Sequence, residues 1–222
     1  NVRATPIPLA STEGMALLSS STARADYGSL AQVFLTQANL AYCGVASSVM
    51  VLNSLNLPAP AVPGYGSYHF WTQDNLWSGA EAGALPTGAR PSEPVVSPEQ
   101  VQRRGMTLTE LATLLRRHGL VVQAIHGSDL DLATFRTRVQ QSLANPGDRL
   151  LVNYNRPSLG QEGGGHISPL AAYHRSRDQV LILDVARYRY PAVWVPLEDL
   201  WQAIRTIDQS SGRSRGIVLI RR

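Results

Sequence analysis

The alternation of apolar and polar positions divides this chain into a largely helical first half and a strand-rich second half. From Gly44 onward the residues are small or apolar with no breaker before Pro58, which predicts a helix opening at Cys43. Thr107-Leu108-Thr109-Glu110 reads as a capping box. The helix behind it turns Leu108, Leu111, Leu114 and Leu115 inward and stops at Gly119. Leu132, Phe135 and Val139 mark a further helix, ended by Asn145-Pro146-Gly147-Asp148. The period then shortens, and residues 150–154, 166–173, 180–186 and 217–220 predict strands. One helix interrupts them, with Leu197, Leu200, Trp201 and Ile204 on one face.

Two stretches lack such periods. Residues 1–24 are polar and small, and predict a peripheral extended arm. Residues 56–98 are rich in Pro and Gly but also hold Tyr65, Tyr68, Phe70, Trp71 and Trp77. A disordered linker would lack those aromatics, so the stretch reads as a long ordered excursion packed on the body. No internal repeat is present. The expectation is an α+β fold, one domain over residues 1–222, with a site in the cleft between the halves.

Composition narrows the functions. With 44% hydrophobic and 16% charged residues, the chain has the material for an ordinary core. Its longest apolar runs are far too short to span a bilayer. Net charge is +4, without a clustered basic run beyond pairs such as Arg103-Arg104 and Arg116-Arg117 in helical context. That pattern argues against nucleic acid and suits a small anionic substrate. One cysteine rules out an internal disulfide and a Cys-rich metal site. The chain starts at Asn1, so a removed leader, and cytoplasmic and periplasmic locations, all stay open.

That single cysteine, Cys43, stands where a helix begins, and a helix N-terminus favours thiolate over thiol. The plainer reading is a buried cysteine packing as a small hydrophobe. A cysteine nucleophile needs a histidine in reach and a third group to hold the ring. Of the five histidines, His118 sits at a helix end, His126 ends a short strand, His69 lies in the aromatic excursion and His174 at a hairpin turn. Structural roles suit these four. His166 differs, because Gly163-Gly164-Gly165 before it would let another backbone or a substrate approach. Asp184 is an acid in an otherwise apolar strand, costly unless hydrogen-bonded. A short loop at 175–177 would set Ser168 opposite Asp184, with His166 diagonal to it on the same face. The competing role for Asp184 is a carboxylate capping backbone amides. Gln37, just upstream of the cysteine, offers a side-chain amide that with the Cys43 N–H can form an oxyanion hole.

With these residues in view, the chain resembles the phytochelatin synthases, in particular the short prokaryotic type. The resemblance covers roughly residues 25–222 and rests on residues 37–55 (QANLAYCGVASSVMVLNSL), 160–173 (GQEGGGHISPLAAY) and 181–194 (LILDVARYRYPAVW), with Asn153-Tyr154, Leu200-Trp201 and Ser214-Arg215-Gly216. It implies a papain-like fold with Cys43, His166 and Asp184 as a catalytic triad and Gln37 at the oxyanion position. It also implies that Asn153 and Arg215 position the glutamyl end of glutathione. The chain lacks the cysteine-rich C-terminal region of plant and yeast members, and the cysteine-containing segment that follows their nucleophile helix.

The activity so implied is a glutathione gamma-glutamylcysteinyltransferase and hydrolase. A thioester on Cys43 releases glycine, then transfers mainly to water and otherwise to a second glutathione, giving phytochelatin. No cofactor is expected to be tightly bound and no protein metal site is expected; cadmium or zinc would arrive as a glutathione thiolate complex. A homodimer is compatible with the sequence. The competing expectations are a papain-like or transglutaminase-like enzyme acting on a protein, and a non-catalytic thiol or metal-binding module.

Overall fold

This computed structural model describes residues 5–81 and 94–222. The chain opens with a short strand β1 (Ile7–Pro8), then helices α1 (Thr12–Ser20), α2 (Tyr27–Gln32) and α3 (Cys43–Ser54). Helices α4 (Leu76–Glu81), α5 (Pro98–Arg104) and α6 (Leu108–Arg117) follow, then β2 (Val121–His126) and α7 (Leu132–Ala144). The second half holds β3 (Asp148–Asn155), β4 (Gly165–His174), β5 (Gln179–Ile182), β6 (Val193–Pro196) and α8 (Leu197–Arg205). A small ribbon, β7 (Ile207–Asp208) with β8 (Arg213–Ser214), leads into the last strand, β9 (Gly216–Arg221).

Seven strands form one antiparallel sheet in the order β1-β6-β5-β4-β3-β9-β2. On one face α3 and α6 bury Val49, Met50, Leu111 and Leu115 against Leu151, Leu181 and Val218. On the other, α7 and α8 bury Phe135, Val139, Leu200 and Ile204 against Leu150, Val152 and Ile182. Strand alternation explains how one sheet serves both cores, since Leu150 and Val152 face one way and Leu151 the other. Small or apolar on all sides, α3 is buried on all sides, with every residue from Cys43 to Leu52 in the interior. The capping box opens α6 as expected: Glu110 N donates to Thr107 Oγ1 at 3.3 Å, and Thr107 N donates to Glu110 Oε2 at 2.9 Å.

One irregularity fixes the later chemistry. Strands β4 and β5 pair as Ala172↔Leu181, then Leu170↔Ile182, with a bulge between. Ala171 and Ala172 thus face the same core. A bulge shifts the register by one and exchanges the faces beyond it. Carried past the end of the ladder, the shifted register sets Asp184 on the face of His166; the unshifted one would put Val185 there.

Of three expectations, two change and one stands. Of the expected extended arm over residues 1–24, the described part, residues 5–24, is not one: Ser11 caps α1, Leu17 and Leu18 are buried, and Trp194 Nε1 donates to Gly14 O at 3.0 Å. Met15-Ala16-Leu17-Leu18 is a continuous apolar run, so it carries no helical period; docking on the sheet edge holds the helix in place. Within residues 56–98, Trp71 and Trp77 are buried, and the Asn53 side chain ties Trp71 at both its N–H and C=O (2.9 Å each). Part of this stretch, residues 82–93, lies outside the described residues. Finally, β5 ends at Ile182, so Asp184 stands beyond the strand rather than within it.

Candidate active site

Cys43 is the first residue of α3 and 8% exposed. It lines a cavity of about 210 Å³ together with His166, Asn153, Arg215, Arg104 and Asp208. A larger cavity of about 650 Å³, lined by Leu35, Leu57, His69 and Phe70, lacks the thiol. Burial raises the Cys43 thiol, but the hydrogen bond from His166, its charge, and backbone hydrogen bonds at Ile167 and Gly44 bring it below its ordinary value. Burial alone would lower His166, and Asp184 and Cys43 more than reverse this. Both shifts favour a thiolate–imidazolium pair.

His166 Nε2 lies 2.8 Å from Asp184 Oδ1. The contact is close, although the ring N–H is not aimed squarely at the oxygen. With Nε2 toward Asp184, Nδ1 is left for the thiol. Both carboxylate oxygens have further partners. Arg156 closes a fork on them, Nη1 to Oδ2 at 2.8 Å and Nη2 to Oδ1 at 3.0 Å, and Ala186 N donates to Oδ1 at 2.9 Å. Tyr154 OH reaches Oδ2 at 3.4 Å. Burial raises the Asp184 carboxyl, but His166 and Arg156 hold it well below the usual carboxylate range. Asp184 therefore takes both roles weighed for it, ring partner and amide cap.

Gln37 is fixed by its surroundings. Its N–H donates to Val185 O at 2.9 Å, and Gln73 clamps both flanks, accepting from Ala38 N at 2.9 Å and donating to Thr36 O at 3.0 Å. The Gln37 side chain gives its two N–H groups to Asn39 O at 2.7 Å and Tyr188 OH at 3.2 Å. Asn153 and Arg215 do come together: Arg215 Nη1 donates to Asn153 Oδ1 at 2.9 Å, and Arg215 Nε has no partner.

The remaining histidines are placed otherwise. His118 caps α6 with its ring edge-on to Trp71, and burial lowers it to about 4. His126 Nδ1 meets Ser214 O at 2.5 Å, His69 Nδ1 meets Ala59 O at 3.0 Å, and His174 caps a turn. Sequence reasoning missed Arg156, because its role needs the end of β3, the loop at 160–165 and Asp184 at once. It also missed Asp208; the one available signal was its position shortly before Arg215. Among the described residues no group of three or more His, Cys, Asp or Glu is placed to hold a metal ion. Nor is any described helix long and apolar enough to cross a membrane.

A family model described as phytochelatin synthase matches residues 1–217. The chain belongs to the phytochelatin synthase family. Similar relatives include glutathione gamma-glutamylcysteinyltransferase 3 of Lotus japonicus, 37% identical over 191 residues, covering 86% of this chain and 36% of the relative. Glutathione gamma-glutamylcysteinyltransferase 2 of Arabidopsis thaliana is 36% identical over 193 residues (87% and 39%), and the Schizosaccharomyces pombe enzyme 32% over 195 (88% and 43%). This phytochelatin synthase family member thus spans well under half the length of these curated relatives. A solved double glycine motif protease from an AMS/PCAT transporter aligns with a TM-score of 0.45 and 15% identity, over 84% of this chain and 89% of that one.

Proposed function

We propose that this chain is a cysteine-dependent acyltransferase and hydrolase that acts on glutathione. The observation that carries the reading is the buried line from Cys43 through His166 to Asp184, in a cavity that also presents Arg215. The names of the relatives, glutathione gamma-glutamylcysteinyltransferases, supply the substrate.

The Cys43 thiolate attacks the carbonyl carbon of the Cys–Gly peptide bond. The oxyanion takes hydrogen bonds from the Cys43 N–H and from Gln37 Nε2, which exchanges the Tyr188 hydroxyl for it. Tyr188 is 58% exposed and free to yield. The His166 imidazolium gives its proton to the glycine nitrogen, the C–N bond breaks, and a γ-glutamylcysteinyl thioester remains on Cys43. Asp184 orients the ring and offsets its charge. Neutral His166 then takes a proton from water, or from the amine of a second glutathione, as that nucleophile attacks the thioester and the thiolate leaves. Arg215 and Asn153 receive the α-carboxylate of the glutamyl end, and Asp208 faces its ammonium.

Cadmium or zinc enters as part of the substrate, on the glutathione sulfur, since Cys43 is the chain's one cysteine. Without a second thiol to hold that complex near the acyl group, water is the main acceptor. Mass spectrometry of products from glutathione, with and without cadmium, should find glycine and γ-glutamylcysteine first and dimeric phytochelatin later. Intact glutathione throughout would sink the substrate assignment, and oligomers from the earliest times would sink the preference for water.

A further inference from the structure

The three glycines before His166 have three different surroundings. Gly163 has φ +116°, a conformation costly for other residues. A Cβ at Gly164 would meet nothing within 4 Å. A Cβ at Gly165 would lie 2.1 Å from Arg215 Nη1, 2.6 Å from Cζ and 2.7 Å from Nη2. The space a side chain would take at Gly165 is therefore filled by the Arg215 guanidinium rather than by a neighbouring backbone.

The base of that arginine is pinned. Arg215 N donates to Thr206 O at 2.9 Å, Gly127 N donates to Arg215 O at 2.7 Å, and His126 holds Ser214 O at 2.5 Å. A Cβ at Gly165 would meet only the end of a long side chain, so the fold survives it and the guanidinium swings away. Arg215 in its seat spends one hydrogen bond on neutral Asn153 and leaves Nε unpaired, in the cavity that holds Cys43. A half-buried cation with its Nε enclosed and without a forked anionic partner favours a carboxylate, the group its planar donors fit.

We propose that Gly165 is a specificity-determining position: its missing side chain seats Arg215 so that the donor must carry a free carboxylate at the end remote from the scissile bond. The proposal rests on the glutathione reading for its natural donor but not for its mechanism.

The test compares Gly165→Ala with Gly164→Ala on glutathione and on 4-aminobutanoyl-Cys-Gly, which lacks only the glutamyl α-carboxylate. Gly165→Ala should lose about ten- to a hundred-fold in kcat/KM on glutathione, mainly through KM, and little on the analogue. Gly164→Ala should match the parent. Arg215→Gln should show the same loss, with no further loss in the double variant. The pH profile of Cys43 alkylation by iodoacetamide should be unmoved in Gly165→Ala. Equal loss on both donors, or a displaced alkylation profile, would mean that Gly165 acts through His166 and would overturn the proposal, as would full activity on glutathione. Glutarate serves as a bare carboxylate probe without turnover: it should protect Cys43 from alkylation at least ten-fold better in the parent than in Gly165→Ala. That readout survives a wrong substrate assignment, and equal protection in both proteins refutes the seat itself.

Discussion

Strand β3 carries a buried arginine–aspartate pair near each end, and the two are balanced in opposite ways. At its start, Arg149 is saturated by neutral acceptors: Ser54 Oγ at 2.8 Å, Ser29 Oγ at 2.8 Å, and the carbonyls of Ser54, Pro146 and Asp148. Asp26 receives a single contact, Arg149 Nη1 to Oδ1 at 3.3 Å, and its Oδ2 has no partner. Burial pushes the Asp26 carboxyl up to about 7, against the pull of Arg149 and helped by Asp148. Just beyond the other end, Arg156 spends its fork on Asp184, which also has His166 and the Ala186 N–H. The same residue pair in comparable burial thus gives one carboxyl that protonates readily and one that stays charged. The satisfied pair holds a negative charge beside an imidazole; the other ties α2 and α3 to the sheet through its arginine.

The sharpest way to break this contrast is Asp184→Asn, which should lower kcat by about 10⁴-fold through a misdirected imidazole. It also leaves Arg156 without its anion, at a stability cost of about 3–5 kcal/mol. Adding Arg156→Met should restore the denaturation midpoint and not the activity. Recovery of both would show that Asp184 matters only as a structural partner.

Arg156→Gln is the next step down, with about ten- to a hundred-fold lost in kcat/KM at neutral pH. Asp184 is held low by His166 and Arg156, so without Arg156 its carboxyl rises. Activity should then fall at a higher pH as the medium is acidified, and the acidic limb of the profile should move up. An unmoved limb would assign Arg156 to packing alone.

The smallest effect belongs to Asp26→Asn, which should leave kcat unchanged. Because the Asp26 carboxyl is raised in the folded state, the parent loses stability as pH climbs from about 4 to about 7. Asp184 contributes with the opposite sign: its stabilisation is present above the ordinary carboxylate value and is lost as pH falls below it. The urea midpoint at pH 7.5 relative to that at pH 4.5 should therefore be higher in Asp26→Asn than in the parent, while His118, lowered by burial to about 4, adds the opposite slope equally to both proteins. An unchanged difference would show that Asp26 is not the group titrating there.

The contrast between the two ends also marks what the sequence discloses. The start of α3 at Cys43 and the capping box of α6 were legible because their signals are local. The partnership of His166 and Asp184 was legible because a short hairpin joins their strands; a bulge was expected only to tighten their distance, and its place at Ala171–Ala172 and its effect on their common face were not legible. Neither arginine could be paired in advance. Arg149 reaches segments distant in sequence, and the fork of Arg156 depends on where the chain turns after β5. Helix α1 escaped for a different reason, since its consecutive apolar residues carry no period and its docking decides the conformation.

Whether Cys43 carries the acyl group can be read directly by intact-protein mass spectrometry of enzyme quenched in acid during glutathione turnover. A γ-glutamylcysteinyl adduct should form on Cys43 together with a burst of free glycine, and be absent from Cys43→Ser. Glycine release by folded Cys43→Ser at a rate near that of the parent, with no adduct on either protein, would contradict this role of Cys43.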